Sequence, residues 1–230
     1  MWALVPIKSF RTAKSRLGPM MSPAFRESLA RAMAADVLDV LSRCAGLTDV
    51  AICSADPEVH AFGRERGCRV IVETPEPQGL NAAVARAADH LRQAGAGHMM
   101  VVHGDLPLLT GNDITTFLTA YSRTTDDVLA ITPDRRNDGS NLVMWPLKSS
   151  FTSSYGPDSF TRHLQQAHET GLRSLVCRLP GAEWDVDRME DLAPLLTGAW
   201  GRCGPATRMA LRSLRPRRAR QTDYLMGALA

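Results

Sequence analysis

Met99-Met100-Val101-Val102-His103-Gly104-Asp105-Leu106-Pro107-Leu108 passes from an unbroken apolar run, through a histidine, to a glycine and a carboxylate. A short run without alternation suits a strand covered on both faces, as the strands of a parallel sheet are. In an open parallel sheet, ligands bind outside the carboxyl ends of the strands, so Asp105 stands where polar chemistry is expected. An Asp before Leu-Pro is also an ordinary turn starter, and its place at the end of the run is what favours function.

Similar apolar runs occur on either side, at Trp2–Ile7, Val50–Cys53, Val70–Val72, Val128–Ile131, Leu142–Trp145 and Leu175–Leu179. Helical patterns lie between them. Ser22-Pro23 reads as an N-cap followed by proline at the first helical position, and Leu29, Met33, Val37, Val40 and Leu41 recur at helical spacing. Pro57 to Arg66 and Gly79 to Ala94 are shorter helices closed by Gly67 and Gly95, and Asn112 to Tyr121 follows the Thr110-Gly111 start. This alternation predicts a parallel sheet with right-handed crossovers. Beyond Val128 the order becomes strand, polar loop 134–140, strand, helix from Ser159 to Thr170, strand, and a last helix from Met189, which suits an antiparallel extension. The expectation is a single three-layer α/β domain over residues 1–200, with a mostly parallel mixed sheet, and an Arg-rich extension over residues 201–230.

The chain has 230 residues, 44% hydrophobic and 22% charged, enough for one real core. Met1 to Ile7 is too short for a secretory signal and is followed directly by Lys8 and Arg11, and no apolar stretch approaches the roughly 20 residues of a membrane span. A cytoplasmic protein with no membrane partner is expected. The five cysteines are scattered singly, with no C-x-x-C pair, and read as reduced thiols. The net charge of +3 comes from Arg208, Arg212, Arg215, Arg217, Arg218 and Arg220 near the end of the chain. Such a cluster suits an acidic or nucleic-acid partner, yet only Tyr224 lies nearby for base stacking, so no nucleic acid is expected. Oligomeric state, a homodimer included, is left open.

Four loops after strands carry candidate chemistry. Lys8, Arg11, Lys14 and Arg16 place cations directly after the first run, as a triphosphate requires, although a solvated basic loop has the same composition. Asp105 can hold Mg²⁺, which prefers oxygen ligands and bridges phosphates. In Glu183-Trp184-Asp185-Val186-Asp187, alternation throws both aspartates to one side, a costly pairing unless a cation lies between them. Capping of the Met189 helix would explain Asp187 alone. Tyr155-Gly156-Pro157-Asp158-Ser159 opens a helix whose free amides suit an anion, with Ser159 as a plain N-cap the alternative. Gly79 and Asn81 open another helix, and Gly139-Ser140-Asn141 precedes a strand; either could touch base or ribose. No G-x-S-x-G or H-E-x-x-H set is present, and none of the six histidines is assigned a role.

Taken in order, Val5-Pro6-Ile7-Lys8, Ala13-Lys14-Ser15-Arg16-Leu17, Gly79-Leu80-Asn81-Ala82-Ala83, Gly104-Asp105-Leu106-Pro107-Leu108, Asp138-Gly139-Ser140-Asn141, Gly156-Pro157-Asp158-Ser159-Phe160 and Asp185-Val186-Asp187 resemble the CofC/FbiD guanylyltransferases of coenzyme F-420 biosynthesis. The resemblance implies a Rossmann-like, GT-A-like nucleotidyltransferase fold and transfer of GMP from GTP to a small phosphoacid: 2-phospho-L-lactate, phosphoenolpyruvate or 3-phospho-D-glycerate. It implies Asp105, Asp185 and Asp187 as ligands of two Mg²⁺, and Lys8, Lys14 and Arg16 as the triphosphate loop, these three and Asp105 being the expected catalytic set. It further implies nucleotide contacts at Gly79 and Asn81, and acceptor binding at the amides of Asn141, Gly156 and Ser159. His103-Gly104 before the metal aspartate and the acidic Asp158 in an anion loop depart from the pattern. Sugar-phosphate and molybdopterin-type nucleotidyltransferases are the neighbouring alternatives; they usually carry a glycine-rich first loop, whereas Lys8–Leu17 has no glycine.

Overall fold

The computed structural model describes residues 1–18, 20–73, 79–124 and 127–214. Strand β1 (Trp2–Pro6) leads through a basic loop and a 3-10 turn at Ser15–Leu17 into helix α1 (Pro23–Ser42). Then follow β2 (Asp49–Ser54), α2 (Pro57–Glu65), β3 (Arg69–Val72), α3 (Gly79–Gln93), β4 (His98–Val102) and α4 (Gly111–Ser122). The second half contributes β5 (Val128–Pro133), β6 (Ser140–Pro146), α5 (Ser159–Glu169), β7 (Arg173–Val176), α6 (Met189–Leu192) and α7 (Pro205–Leu211).

The seven strands form one sheet in the order β3-β2-β1-β4-β6-β5-β7. β1 pairs in parallel with β2 and β4, β2 with β3, and β5 with β7, whereas β6 runs antiparallel between β4 and β5. The mostly parallel mixed sheet expected from the sequence is therefore observed. Because β6 is reversed, its first residues, Ser140 and Asn141, lie at the same sheet edge as the last residues of β4; Val102 pairs with Leu142.

Both faces of the sheet are covered, which is why its strands are apolar throughout. Ala3, Val5, Ile52, Met100 and Val102 pack with α1, α2 and α4, and Leu4, Cys53, Met99, Val101 and Ile131 pack with α3 and α5. Helix starts follow the cap chemistry read from the sequence: Ser22 accepts from the Phe25 amide, and Thr110 and Asp113 close a capping box. The final strand is displaced from the expected Leu175–Leu179 to Arg173–Val176. It is the sheet edge beside β5, where solvent on one side allows Arg173 and Ser174 and erases the apolar signal.

A third apolar cluster joins Leu17, Leu29, Met33, Leu108, Val186, Leu192, Leu195, Cys203 and Leu211. It fastens the basic loop, α1 and the 185–187 segment to α7. The boundary expected at residue 200 therefore cuts through packed structure, and the body of the fold continues through α7. Arg215, Arg217, Arg218 and Arg220 lie outside the described residues. All five cysteines are free thiols, and no helix among the described residues is long and apolar enough to cross a membrane.

Candidate active site

The basic loop after β1 is anchored at its base. Phe10 is buried edge-on against Phe62, at 4.9 Å between ring centroids, with the Arg31 guanidinium 4.7 Å above it. Ser9 Oγ donates to Asp56 Oδ2 at 2.7 Å. Beyond this anchor the backbone turns through the left-handed region at Lys14, with φ 56°, an uncommon conformation for a residue with a side chain. The turn sends Lys14 inward. Its side chain is only 7% exposed, and Nζ contacts Asp105 Oδ2 at 2.5 Å and Asp187 Oδ1 at 3.0 Å. Burial lowers the affinity of the ammonium for its proton, but the two carboxylates outweigh it and Lys14 is held above the ordinary lysine range.

Arg16 is exposed and reaches Asp187 Oδ2 at 3.2 Å. Lys8 is exposed and, with Lys14, Gly104 and Asp105, lines an open cavity of about 260 Å³ between the loop and α1. Of the three expected triphosphate cations, Lys8 and Arg16 face solvent, while Lys14 is committed to carboxylates.

Asp105, Asp185 and Asp187 gather at the carboxyl end of β4. The Val186 amide donates to the Asp105 carbonyl at 3.2 Å, tying the segment of the two aspartates to the strand end. Burial would raise the Asp105 carboxyl, but Lys14 holds it below the usual range. Asp185 has no such partner: burial first, then the charges of Asp105 and Asp187, push it up to about 6. One oxygen of each, Asp105 Oδ1 and Asp185 Oδ1, is buried without a hydrogen bond. Among the described residues, no three His, Cys, Asp or Glu side chains converge as ligands on one point, and the cation between Asp105 and Asp187 is the Lys14 ammonium. The unpaired oxygens are hard donors short of a cation, a chemistry that fits Mg²⁺.

Asp187 does not cap the helix that follows. The amides of Asp187 and Arg188 both donate to Asp191 Oδ2, at 2.9 and 2.8 Å, and Asp191, fully buried, is paired with Arg135 and Arg136. Arg135 also lies 4.3 Å from the Trp184 ring centroid. This network holds the Asp185–Asp187 segment in place. Arg135 and Arg136 stand 56 and 55 residues before Asp191 in the chain, and the sequence offers no local signal for these two pairings.

The acceptor loop differs from expectation. Gly156 takes φ 128°, a region closed to other residues, and its amide has no partner among the described residues. The Ser159 amide, however, donates to the Gly156 carbonyl at 3.1 Å, and the Asp158 amide donates to Asp138 Oδ1 at 2.8 Å. The first turn of α5 is thus already supplied with acceptors, and Ser159 is not a free anion donor. Asp158 adopts φ 54° with an exposed side chain, which reconciles an acidic residue with this loop. Asn141 is buried, its amide nitrogen donating to the Ala182 carbonyl at 3.0 Å.

Gly79, with φ 80°, begins α3 next to residues 74–78, which lie outside the described residues. Asn81, expected at the nucleotide, pairs with a peptide unit: its amide nitrogen donates to the Tyr155 carbonyl at 3.0 Å, and its oxygen accepts from the Tyr155 amide at 2.6 Å.

Two histidines without an expected role lie here. His163 is fully buried; Nε2 accepts from the Ser154 amide at 2.9 Å, leaving Nδ1–H to donate to Ser140 Oγ at 2.9 Å. Burial, with the nearby charges of His103 and Arg162, lowers its pKa to about 4. Unfolded, a histidine titrates near 6.5, so between these values the unfolded chain binds the extra proton. Stability is therefore full above pH 6.5 and falls as pH drops toward 4, by about 3 kcal/mol from this one group. Urea unfolding at pH 7 and pH 4 is expected to show that His163→Gln removes most of this difference; an unchanged pH dependence would refute the buried neutral ring. His103 packs at 5.2 Å from the Tyr155 ring, with its Nε2 buried and unpaired.

The family model described as Guanylyl transferase CofC like matches residues 1–216. The phosphoenolpyruvate guanylyltransferase of Conexibacter woesei is 34% identical over 194 residues, covering 84% of this chain and 86% of its own. The 3-phospho-D-glycerate guanylyltransferase of Phenylobacterium zucineum is 33% identical over 221 residues, covering 94% and 97%. Among solved structures, a protein of Desulfovibrio desulfuricans G20 described as a nucleotide-diphospho-sugar transferase superposes with a TM-score of 0.75 over 92% of this chain and 94% of its own, at 18% identity, a likeness of fold alone.

Proposed function

The chain belongs to the CofC-like guanylyl transferase family, and from that membership we propose that it transfers GMP from GTP to a small phosphorylated acid, releasing pyrophosphate, in a Mg²⁺-dependent reaction. The acids proposed are phosphoenolpyruvate, 2-phospho-L-lactate and 3-phospho-D-glycerate, in the setting of coenzyme F-420 biosynthesis. One observation supports the reading most directly: two buried carboxylate oxygens without partners, on Asp105 and Asp185, beside a lysine held between Asp105 and Asp187.

The attacking phosphate oxygen of such an acceptor is ionised at neutral pH, so no general base is required. This accords with His163 being spent on structural bonds. Catalysis then rests on aligning that oxygen with the α-phosphorus and on neutralising charge. Asp105, Asp185 and Asp187 would hold two Mg²⁺, which supply positive charge to the phosphate oxygens. Lys8 would meet the triphosphate from the open side of the cavity, and the exposed Arg16 would do so on exchanging its contact with Asp187 for a phosphate oxygen.

Incubation with GTP, Mg²⁺ and each of the three acids is expected to release pyrophosphate with at least one of them, and not when Mg²⁺ is chelated. Absence of pyrophosphate with all three acids would overturn the assignment.

A further inference from the structure

We infer that Asn81 is a positioning residue for the acceptor side of the site rather than a ligand of the nucleotide. The inference rests on the guanylyltransferase reading above and names how the acceptor loop is set. Asn81 stands in the first turn of α3, 74 residues before the segment it binds. Its amide group pairs with both backbone groups of Tyr155, donating to the carbonyl at 3.0 Å and accepting from the amide at 2.6 Å. The same oxygen accepts from Ser153 Oγ at 3.4 Å. A carboxamide matched to a peptide unit in this way spends its oxygen and one of its two N–H donors on the 153–155 segment, which fixes the segment's backbone to α3.

The next residues along the chain complete a brace. The Ser154 amide is held by His163 Nε2, and His163 Nδ1 by Ser140 Oγ, which in turn accepts from Ser159 Oγ at 3.5 Å. Segment 153–155 is therefore fixed from two sides, by α3 through Asn81 and by α5 and β6 through His163. Directly after it comes Gly156, whose amide has no partner among the described residues and whose φ of 128° must be maintained by its surroundings. The Tyr155 ring packs between His103 at 5.2 Å and His163 at 4.9 Å, a further hold on the residue before Gly156. Releasing Asn81 frees the peptide units on which Gly156 is aimed while leaving the basic loop and the aspartates untouched.

The test compares wild type with Asn81→Ala and Asn81→Asp. The first removes both bonds to Tyr155; the second keeps an acceptor for the Tyr155 amide but sets a carboxylate oxygen against the Tyr155 carbonyl. Expected is an acceptor KM raised about tenfold or more in both variants. GTP binding, titrated in the absence of acceptor, is expected to stay within about twofold of wild type. A weakened GTP affinity with an unchanged acceptor KM would make Asn81 a nucleotide ligand and overturn the inference. A lowered unfolding temperature with both constants unchanged would make the pairing merely structural and overturn it equally. A wild-type protein that releases no pyrophosphate would instead strike the functional reading itself, so the two failures are told apart.

Discussion

Asp105→Asn is expected to lower GTP-dependent pyrophosphate release on the order of a thousandfold while leaving the protein folded. The separation of the two effects follows from what surrounds the carboxylate. Asp105 Oδ2 holds Lys14, but Asp187 holds the same ammonium at 3.0 Å, so the substitution does not strand a buried charge. Asp105 is also a cause of the raised Asp185 carboxyl, and removing its charge relieves that repulsion. The loss of one charge-assisted bond and the relief of a like-charge contact are of similar size, leaving a net change in stability of about 1 kcal/mol. The unpaired Asp105 Oδ1, by contrast, is a hard anionic donor that an amide oxygen replaces poorly. Pyrophosphate release by Asp105→Asn near the wild-type rate would show that this carboxylate takes no part in the chemistry.

Asp36→Ala is expected to have the largest effect on stability. Asp36 lies within α1, and its two oxygens accept from the Ala206 and Thr207 amides at 2.9 and 2.8 Å, capping α7 from 170 residues away. The approach is so close that a β-carbon on Gly204 would lie 2.2 Å from the Asp36 carboxyl carbon. Truncation to Ala leaves two helix-terminal donors beside a buried interface without an acceptor, at a cost of about 3 kcal/mol. For a chain of this size that corresponds to a fall in unfolding temperature of about 6–12 °C. Asp36→Asn, which keeps an acceptor but loses the charge, is expected to fall between the two. An unfolding temperature equal to that of wild type in Asp36→Ala would mean that α7 is not docked in solution.

These two sites mark where the sequence is readable and where it is not. Asp105 is found from the chain alone because burial on both faces makes β4 an uninterrupted apolar run, and the first polar residues past it mark the functional edge. Ser22-Pro23 and Thr110 are found because cap chemistry is local. Asp36 is invisible for the opposite reason: within an amphipathic helix it reads as a surface residue, and its partners are the backbone of a segment whose arginines suggest a solvated tail. Lys14 is legible as a cation near phosphates, but its inward turn depends on a left-handed backbone that composition does not announce. The Ser159 amide was expected to be free because a helix start has free donors in general, and Asp138, supplying the neighbouring amide, comes from a different loop. Asn81 shows the same limit, since a residue's neighbours along the chain do not reveal which distant peptide unit it pairs with.

The reversed strand β6 makes the candidate site the joint product of two halves of the sheet. On one side of the β4–β6 seam, the loops after β1 and β4 carry Lys14 and Asp105, whereas Asp185 and Asp187 arrive from the other side, on the chain that follows β7. That other side also holds β6, α5 and the segment between them, with Asn141, Gly156 and Ser159. The halves meet along one antiparallel ladder, from His98 against Pro146 to Val102 against Leu142, and Lys14 then spans the seam from Asp105 to Asp187, so a shift of one half against the other would part the carboxylates from their shared ammonium.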